Sequence, residues 1–263
     1  MGNSLGDTSV RHPYSFVALL TVFIAAVYVL AGAVTDGMRL PEISLYFISN
    51  GILALAALIL LARHGWWQPL GFVLDRRKRD FLFFILPLAP AVLNSLGGVH
   101  VASAADAALF LMLGLLIAFV EESFFRGFML RPLALKGPWR AAIATSLIFG
   151  LMHSQHLLRG TDALTVLAQM GFAVSIGFTF SALVLRTGMI WPVMIIHFLT
   201  DFVGFMAAGD IALEAYGPPS LVTIVIFVLV FAGYGVWLLS GGRLKYYRSG
   251  GPGSCLRPAS AGP

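Results

Sequence analysis

Between Leu115 and Leu130 the chain reads LLIAFVEESFFRGFML, an apolar run of helical length interrupted by Glu121, Glu122 and Arg126. What surrounds this run decides what the charges mean. Of the 263 residues, 59% are hydrophobic and only 11% are charged, with a mean hydropathy of +0.88. A chain of this length has no water-soluble core large enough to hide that much apolar surface, so the bilayer is its solvent. The expected fold is all-α, a polytopic transmembrane helical bundle. In hydrocarbon an ionised side chain is costly, which makes Glu121, Glu122 and Arg126 functional suspects by default.

Apolar runs predict eight spans: Tyr14 to Val34, Ile43 to Ala62, Phe81 to Leu96, Ala107 to Leu130, Trp139 to His153, Leu164 to Leu185, Met189 to Met206 and Leu221 to Leu239. Ala31-Gly32-Ala33 resembles a signal-peptidase site, but the run before it is long for a signal sequence and reads as a span. The third run is short and carries Pro87 and Pro90. Asp106 and Asp162 stand where helix N-caps are expected. Residues 1–242 read as one membrane domain with a motif core over 105–206. Residues 243–263 read as a disordered cytoplasmic tail containing the single Cys255, which can form no internal disulfide.

The 17 basic residues exceed the 12 acidic ones, yet they fall in short connections and serve as topology signals, which argues against a nucleic-acid partner. With a cytoplasmic N-terminus, Arg11, Arg63, Arg76, Arg77, Lys78, Arg79, Arg131, Lys136, Arg140, Arg186, Arg243, Lys245, Arg248 and Arg257 collect inside, while Arg39 and Arg159 stay outside. That asymmetry predicts both termini in the cytoplasm. Trp66 and Trp67 sit before the Arg76–Arg79 cluster as an interfacial segment would.

Two further runs carry polar groups at membrane depth: Phe149 to His153, and His197 to Asp201. Glu122 and Arg126 are four residues apart and share a helix face, whereas Glu121 points about 100° away. The expected division is an ion pair beside a free carboxylate. His197 and Asp201 are also four apart and aim at a shared point. Depth counting from the span ends brings Glu121 and His197 together but leaves His153 roughly 9 Å further outward, unless span five starts low, tilts or ends in a bend. Two histidines and an uncommitted glutamate can take, give or stabilise a proton. Glu121, His153 and His197 also match the His2Glu ligand set of catalytic zinc, although no HExxH helix is present.

Taken in order, Glu-Glu-x-x-x-Arg, Phe-x-x-x-His and His-x-x-x-Asp resemble the CAAX-protease and bacteriocin-processing (CPBP, Abi) family of intramembrane proteases, over about Phe110 to Met206. The resemblance implies a helical bundle whose polar groups meet in a membrane cavity open to the cytoplasm. It implies peptide-bond cleavage near the end of a membrane-anchored protein or peptide substrate. Glu121 and His153 would activate water, His197 and Asp201 would stabilise the oxyanion, and Glu122, Arg126 and Phe149 would support them. Asp201 departs from the Asn frequent at that place, and a carboxylate there can only accept a hydrogen bond. Metal-free glutamate catalysis is the favoured reading, with no cofactor; zinc is the alternative.

Each motif has a plainer reading as helix packing: a buried Glu122-Arg126 pair, an interfacial His153, a His197-Asp201 bond. Ser154, Gln155 and His156 read as cap or loop groups, and Gly171, Ala173, Ser175, Gly177 and Ser181 as a close-packing surface. A proton-coupled transporter or a non-catalytic immunity or scaffold protein are the alternative functions. The expected location is a bacterial plasma membrane, with several passes. Oligomeric state and substrate identity are not legible.

Overall fold

A computed structural model describes residues 9–72, 78–211, 221–241 and 244, and every regular element among them is helical. Helix α1 spans Pro13–Gly37 and α2 spans Ile43–His64. Two 3-10 segments, Lys78–Phe84 and Leu86–Leu88, lead into the short α3, Ala89–Ser95. Next comes α4, Ala104–Glu121, which runs without a break through a π-helical segment, Glu122–Met129, into α5, Leu130–Ala134. Helix α6, Pro138–Met152, tightens into a 3-10 segment, His153–Arg159. Helices α7 (Ala163–Thr187), α8 (Trp191–Ala208) and α9 (Leu221–Ser240) complete the described chain.

Seven of these helices are long and apolar enough to cross a membrane. The expected third span is the exception. Asp80–Ser95 is an apolar stretch that Pro87 and Pro90 divide into successive first turns, because a ring without an N–H is tolerated only there. It packs on α8 instead of forming one straight helix. The tail expected over 243–263 lies outside the described residues apart from Leu244, and so do Arg76 and Arg77.

Small residues let the helices approach. Gly114 of α4 lies under Phe198 and Phe202 of α8, and a side chain at Gly150 of α6 would collide with Val174 of α7. Leu19, Val22, Leu30, Leu55, Leu167 and Leu229 stay exposed on the outer surface, as lipid-facing residues do. Helix starts follow local chemistry. Asp162 caps α7 by accepting the Thr165 amide at 3.0 Å. The cap of α4 is Ser103, not Asp106: the Ser103 hydroxyl accepts the Asp106 amide at 3.2 Å and donates to the Asp106 carboxylate at 2.7 Å, so Asp106 supports the cap from the third helical position.

The bundle has two unlike ends. The ends of α2, α5 and α7 and the starts of α6 and α8 meet at one, which carries Arg63, Lys136, Arg140 and Arg186. Arg131 belongs to this end, but it is buried there: its Nη2 donates to the carbonyls of Leu70 at 3.3 Å and Gly188 at 3.1 Å. It clamps two connections together, where the sequence had marked it as a topology signal. Gly71, at φ +92, permits this closeness, since a Cβ there would strike the Gly188 carbonyl. At the opposite end lie Asp36, Glu42, Asp162 and Asp210, with Arg159 held 3.0 Å from Asp36 and 3.6 Å from Glu42.

Candidate active site

The π-helical segment is where α4 meets the middle of the bundle, and all eight of its residues are buried. Wider turns of this kind shift the phase of a helix and occur often at functional sites. Here the shift coincides with the paired acids. Glu122 and Arg126 are fully buried and joined, Nη1 to Oε1, at 3.1 Å. The Arg126 guanidinium carbon lies 4.4 Å from the Phe149 ring centre, 5.5 Å from Phe180 and 5.9 Å from Phe125. Its Nε and Nη2 have no hydrogen-bond acceptor among the described residues. Aromatic faces take that role, an arrangement worth about 2 kcal/mol or more when desolvated.

His197 of α8 is the junction of the cluster. Its Nδ1 lies 2.8 Å from Glu122 Oε1, the oxygen that also holds Arg126. Its Nε2 faces Glu121 Oε2 at 3.6 Å and Asp201 Oδ2 at 3.4 Å. Since a carboxylate only accepts, Nδ1 carries a proton. Nε2 then faces two acids, so the ring is an imidazolium or one of those acids donates to it. The expected division of labour is corrected in one respect: Glu122 serves His197 as well as Arg126. Asp201 and His197 meet as their spacing predicts, and Glu121 joins them.

His153 reaches the same space from α6. The α-helix ends at Met152, and His153 opens the 3-10 segment that continues it. Its ring centre is 5.0 Å from that of Phe149, which also neighbours His197 at 6.3 Å. The Phe149 carbonyl accepts from His153 Nδ1 at 2.9 Å. A carbonyl has no proton to give, so in the neutral ring the lone pair resides on Nε2.

Glu121, His153, His197 and Asp201 all line one cavity of about 590 Å³. Its walls are mainly apolar, with Phe124, Phe125, Phe149, Phe172 and Phe180 among them. Gln155 and His156, expected as cap or loop groups, also line it, as do Tyr28, Asn94 and Gln169, which sequence reasoning passed over. Tyr28 donates to Asn50 at 3.2 Å and Asn94 donates to the Thr200 carbonyl at 3.4 Å. Single polar residues in apolar runs look like packing groups, so only their convergence distinguishes them.

The zinc alternative does not fit this geometry. The Nδ1 bonds of His197 and His153 leave both Nε2 atoms open, but among the described residues no three His, Cys, Asp or Glu side chains are gathered as a ligand set. No step is therefore routed through a metal.

A family model described as Rce1-like, type II CAAX prenyl endopeptidase, matches residues 103–203. Comparison with the curated proteins and with solved structures gives no match. The matched stretch begins at the Ser103 cap and ends just past Asp201, so it holds every member of the cluster. Over the helices that carry Glu121, His153, His197 and Asp201, the chain is therefore similar to the Rce1-like, type II CAAX prenyl endopeptidase family.

Proposed function

We infer that this membrane protein is an intramembrane endopeptidase in which Glu121 is the base. The observation that carries the reading is His197 held among Glu121, Glu122 and Asp201, at the wall of a cavity that His153 also lines. Amide hydrolysis needs an activated water, a donor for the oxyanion and a proton for the leaving amine. Glu121 takes a proton from water while the water oxygen attacks the carbonyl carbon, and the Nε2 lone pair of His153 helps to orient that water. The charge that develops on the carbonyl oxygen is met by the protonated His197 ring. When the C–N bond breaks, the proton on Glu121 passes to the amine.

Glu122 holds the His197 ring through Nδ1 and Asp201 stands beside Nε2 at 3.4 Å, so the Nε2 proton is the one turned to the oxyanion. Arg126 balances the buried negative charge. Phe149 acts as a spacer, touching Arg126, His153 and His197.

A carrier would need a polar path through the bundle. Toward the basic end the site is instead floored by Phe124, Phe128, Met129 and Leu130, all at 1% exposure or less. The test is cleavage of a membrane-anchored reporter library by the purified protein and by its Glu121→Gln variant. Loss of cleavage by about 10²- to 10⁴-fold is expected; cleavage at the unaltered rate would remove Glu121 as the base. The seven long apolar helices and the family match support an integral, multi-pass membrane protein acting on protein substrates; a bacterial plasma membrane and a membrane-anchored substrate belong to the proposal.

A further inference from the structure

Among the described residues, the cavity is lined up to one end of the bundle, and that end is not the basic one. Its shallow lining comes from Tyr46 near the start of α2, Gln155 and His156 after α6, Thr165 near the start of α7, Ile211 after α8 and Thr223 near the start of α9. All of these lie at the end where Asp36, Glu42 and Asp162 stand. Among the described residues, none of its lining comes from the connections at the basic end. There the bundle is closed, by the aromatic floor under Glu121 and by the Arg131 clamp between Leu70 and Gly188.

Two expectations from the sequence therefore exclude one another. The charge asymmetry puts the basic end in the cytoplasm. The family resemblance puts the opening of the cavity there. The structure sets the two at opposite ends, so only one can hold. Fourteen basic residues against two is the stronger constraint, because it acts on every connection of the chain.

We propose that the cavity takes its substrate from the extracytoplasmic side: an extended, apolar peptide segment of a membrane-anchored protein whose scissile bond lies beyond the outer end of its anchor. This rests on the endopeptidase reading for its chemistry. Along α4, Glu121 lies 17 residues from Ala104, or about 26 Å at the helical rise. An extended chain needs about eight residues to cover that depth. The lining selects what those residues are. Aromatic and aliphatic walls favour apolar side chains, and Asn94, Gln155 and Gln169 offer hydrogen bonds to the backbone of an extended strand.

Accessibility tests the direction without reference to proteolysis. In a Cys255→Ser background, single cysteines are placed at Thr165 or Thr223 on the rim and at Lys136 on the basic end, and intact cells are treated with a membrane-impermeant maleimide. Labelling of Thr165→Cys and Thr223→Cys in intact cells, and of Lys136→Cys only after permeabilisation, is expected. The reverse pattern overturns the proposal. A second arm uses anchored reporters with the cleavable segment on one side of the membrane or the other, with Glu121→Gln as control. Release from the outer reporter alone is expected, and release from the inner reporter alone overturns the proposal while leaving the protease reading intact. Silence of both reporters alongside the expected labelling removes the protease reading, and the substrate assignment with it.

Discussion

His197 Nδ1 and Arg126 Nη1 converge on a single oxygen, Oε1 of Glu122, at 2.8 and 3.1 Å. One carboxylate thus ties α8 to the π-helical segment and is charged from two sides. Replacing Glu122 by Gln would keep the shape and remove the charge. The expected outcome is a folded protein with peptidase activity reduced at least tenfold and the larger part of the loss in kcat, since the histidine loses the carboxylate that holds its Nδ1–H in place. Steady-state kinetics on a reporter peptide, with helix content checked by circular dichroism, measures this.

Arg126 is the opposite case. Arg126→Met leaves Glu122 buried beside one partner in place of two. Breaking a buried pair from one side costs about 3–5 kcal/mol. The paired change Glu122→Gln with Arg126→Met is expected to recover part of that loss. Unfolding midpoints of the two single variants and the double variant form the cycle that checks it, and strict additivity would deny the coupling.

Gly177 makes room for this arrangement. A Cβ at 177 would lie 3.0 Å from Arg126 Nη2 and 3.0 Å from the Phe149 ring. Gly177→Ala is expected to cost about 1–3 kcal/mol by overpacking. Activity should fall further than stability alone explains, because Phe149 is shared with both histidines. Gly171→Ala supplies the contrast, because the nearest atom to a Cβ there is 3.9 Å away. Thermal unfolding and reporter cleavage of both variants separate the two effects.

The ion pairs at the open end should matter little. Arg159 and Asp36 are partly exposed, and a pair of that kind contributes about 0–1 kcal/mol. Arg159→Gln is expected to move the unfolding midpoint slightly, and less at high salt. A large shift would assign Arg159 a role beyond the surface pair.

Asp162 gives a pH signature outside the membrane spans. Hydrogen bonds from Thr165, through its side chain and its amide, hold the Asp162 carboxyl below the usual carboxylate range. A depressed folded-state pKa stabilises above the unfolded value, and the gain is lost as pH falls through the folded one. Asp162→Ala is therefore expected to unfold at a lower temperature than the parent chain at neutral pH, with the gap narrowing below about pH 4. Calorimetry across that range is the check.

Much of this was legible in sequence because lipid enforces simple rules. Apolar run length gave the seven long helices, and four-residue spacing joined Glu122 to Arg126 and His197 to Asp201. Chain-local rules failed where the neighbours decide. The π turn at Glu122–Met129 leaves no periodic mark, and it is this region that sets both acids against one histidine. Arg131 looked like any topology charge until the Leu70 and Gly188 carbonyls met on it. His153 seemed too far out because depth was counted from span ends, which do not record how each helix is set in the bundle. Asn94 and Gln169 had no pattern at all; only the folded walls collect them.

The aromatic floor has an electrical consequence. Water admitted to the cavity brings the aqueous phase down to Glu121, so insulation falls to the packed layer from Phe124 to Ala134. Along the helix that layer is about 15 Å thick, half of an ordinary hydrocarbon core. A membrane voltage would drop across this half alone, steepening the local field at the Glu122-Arg126 pair. The packing that supports the cluster is thereby also what keeps the membrane tight to ions beneath it.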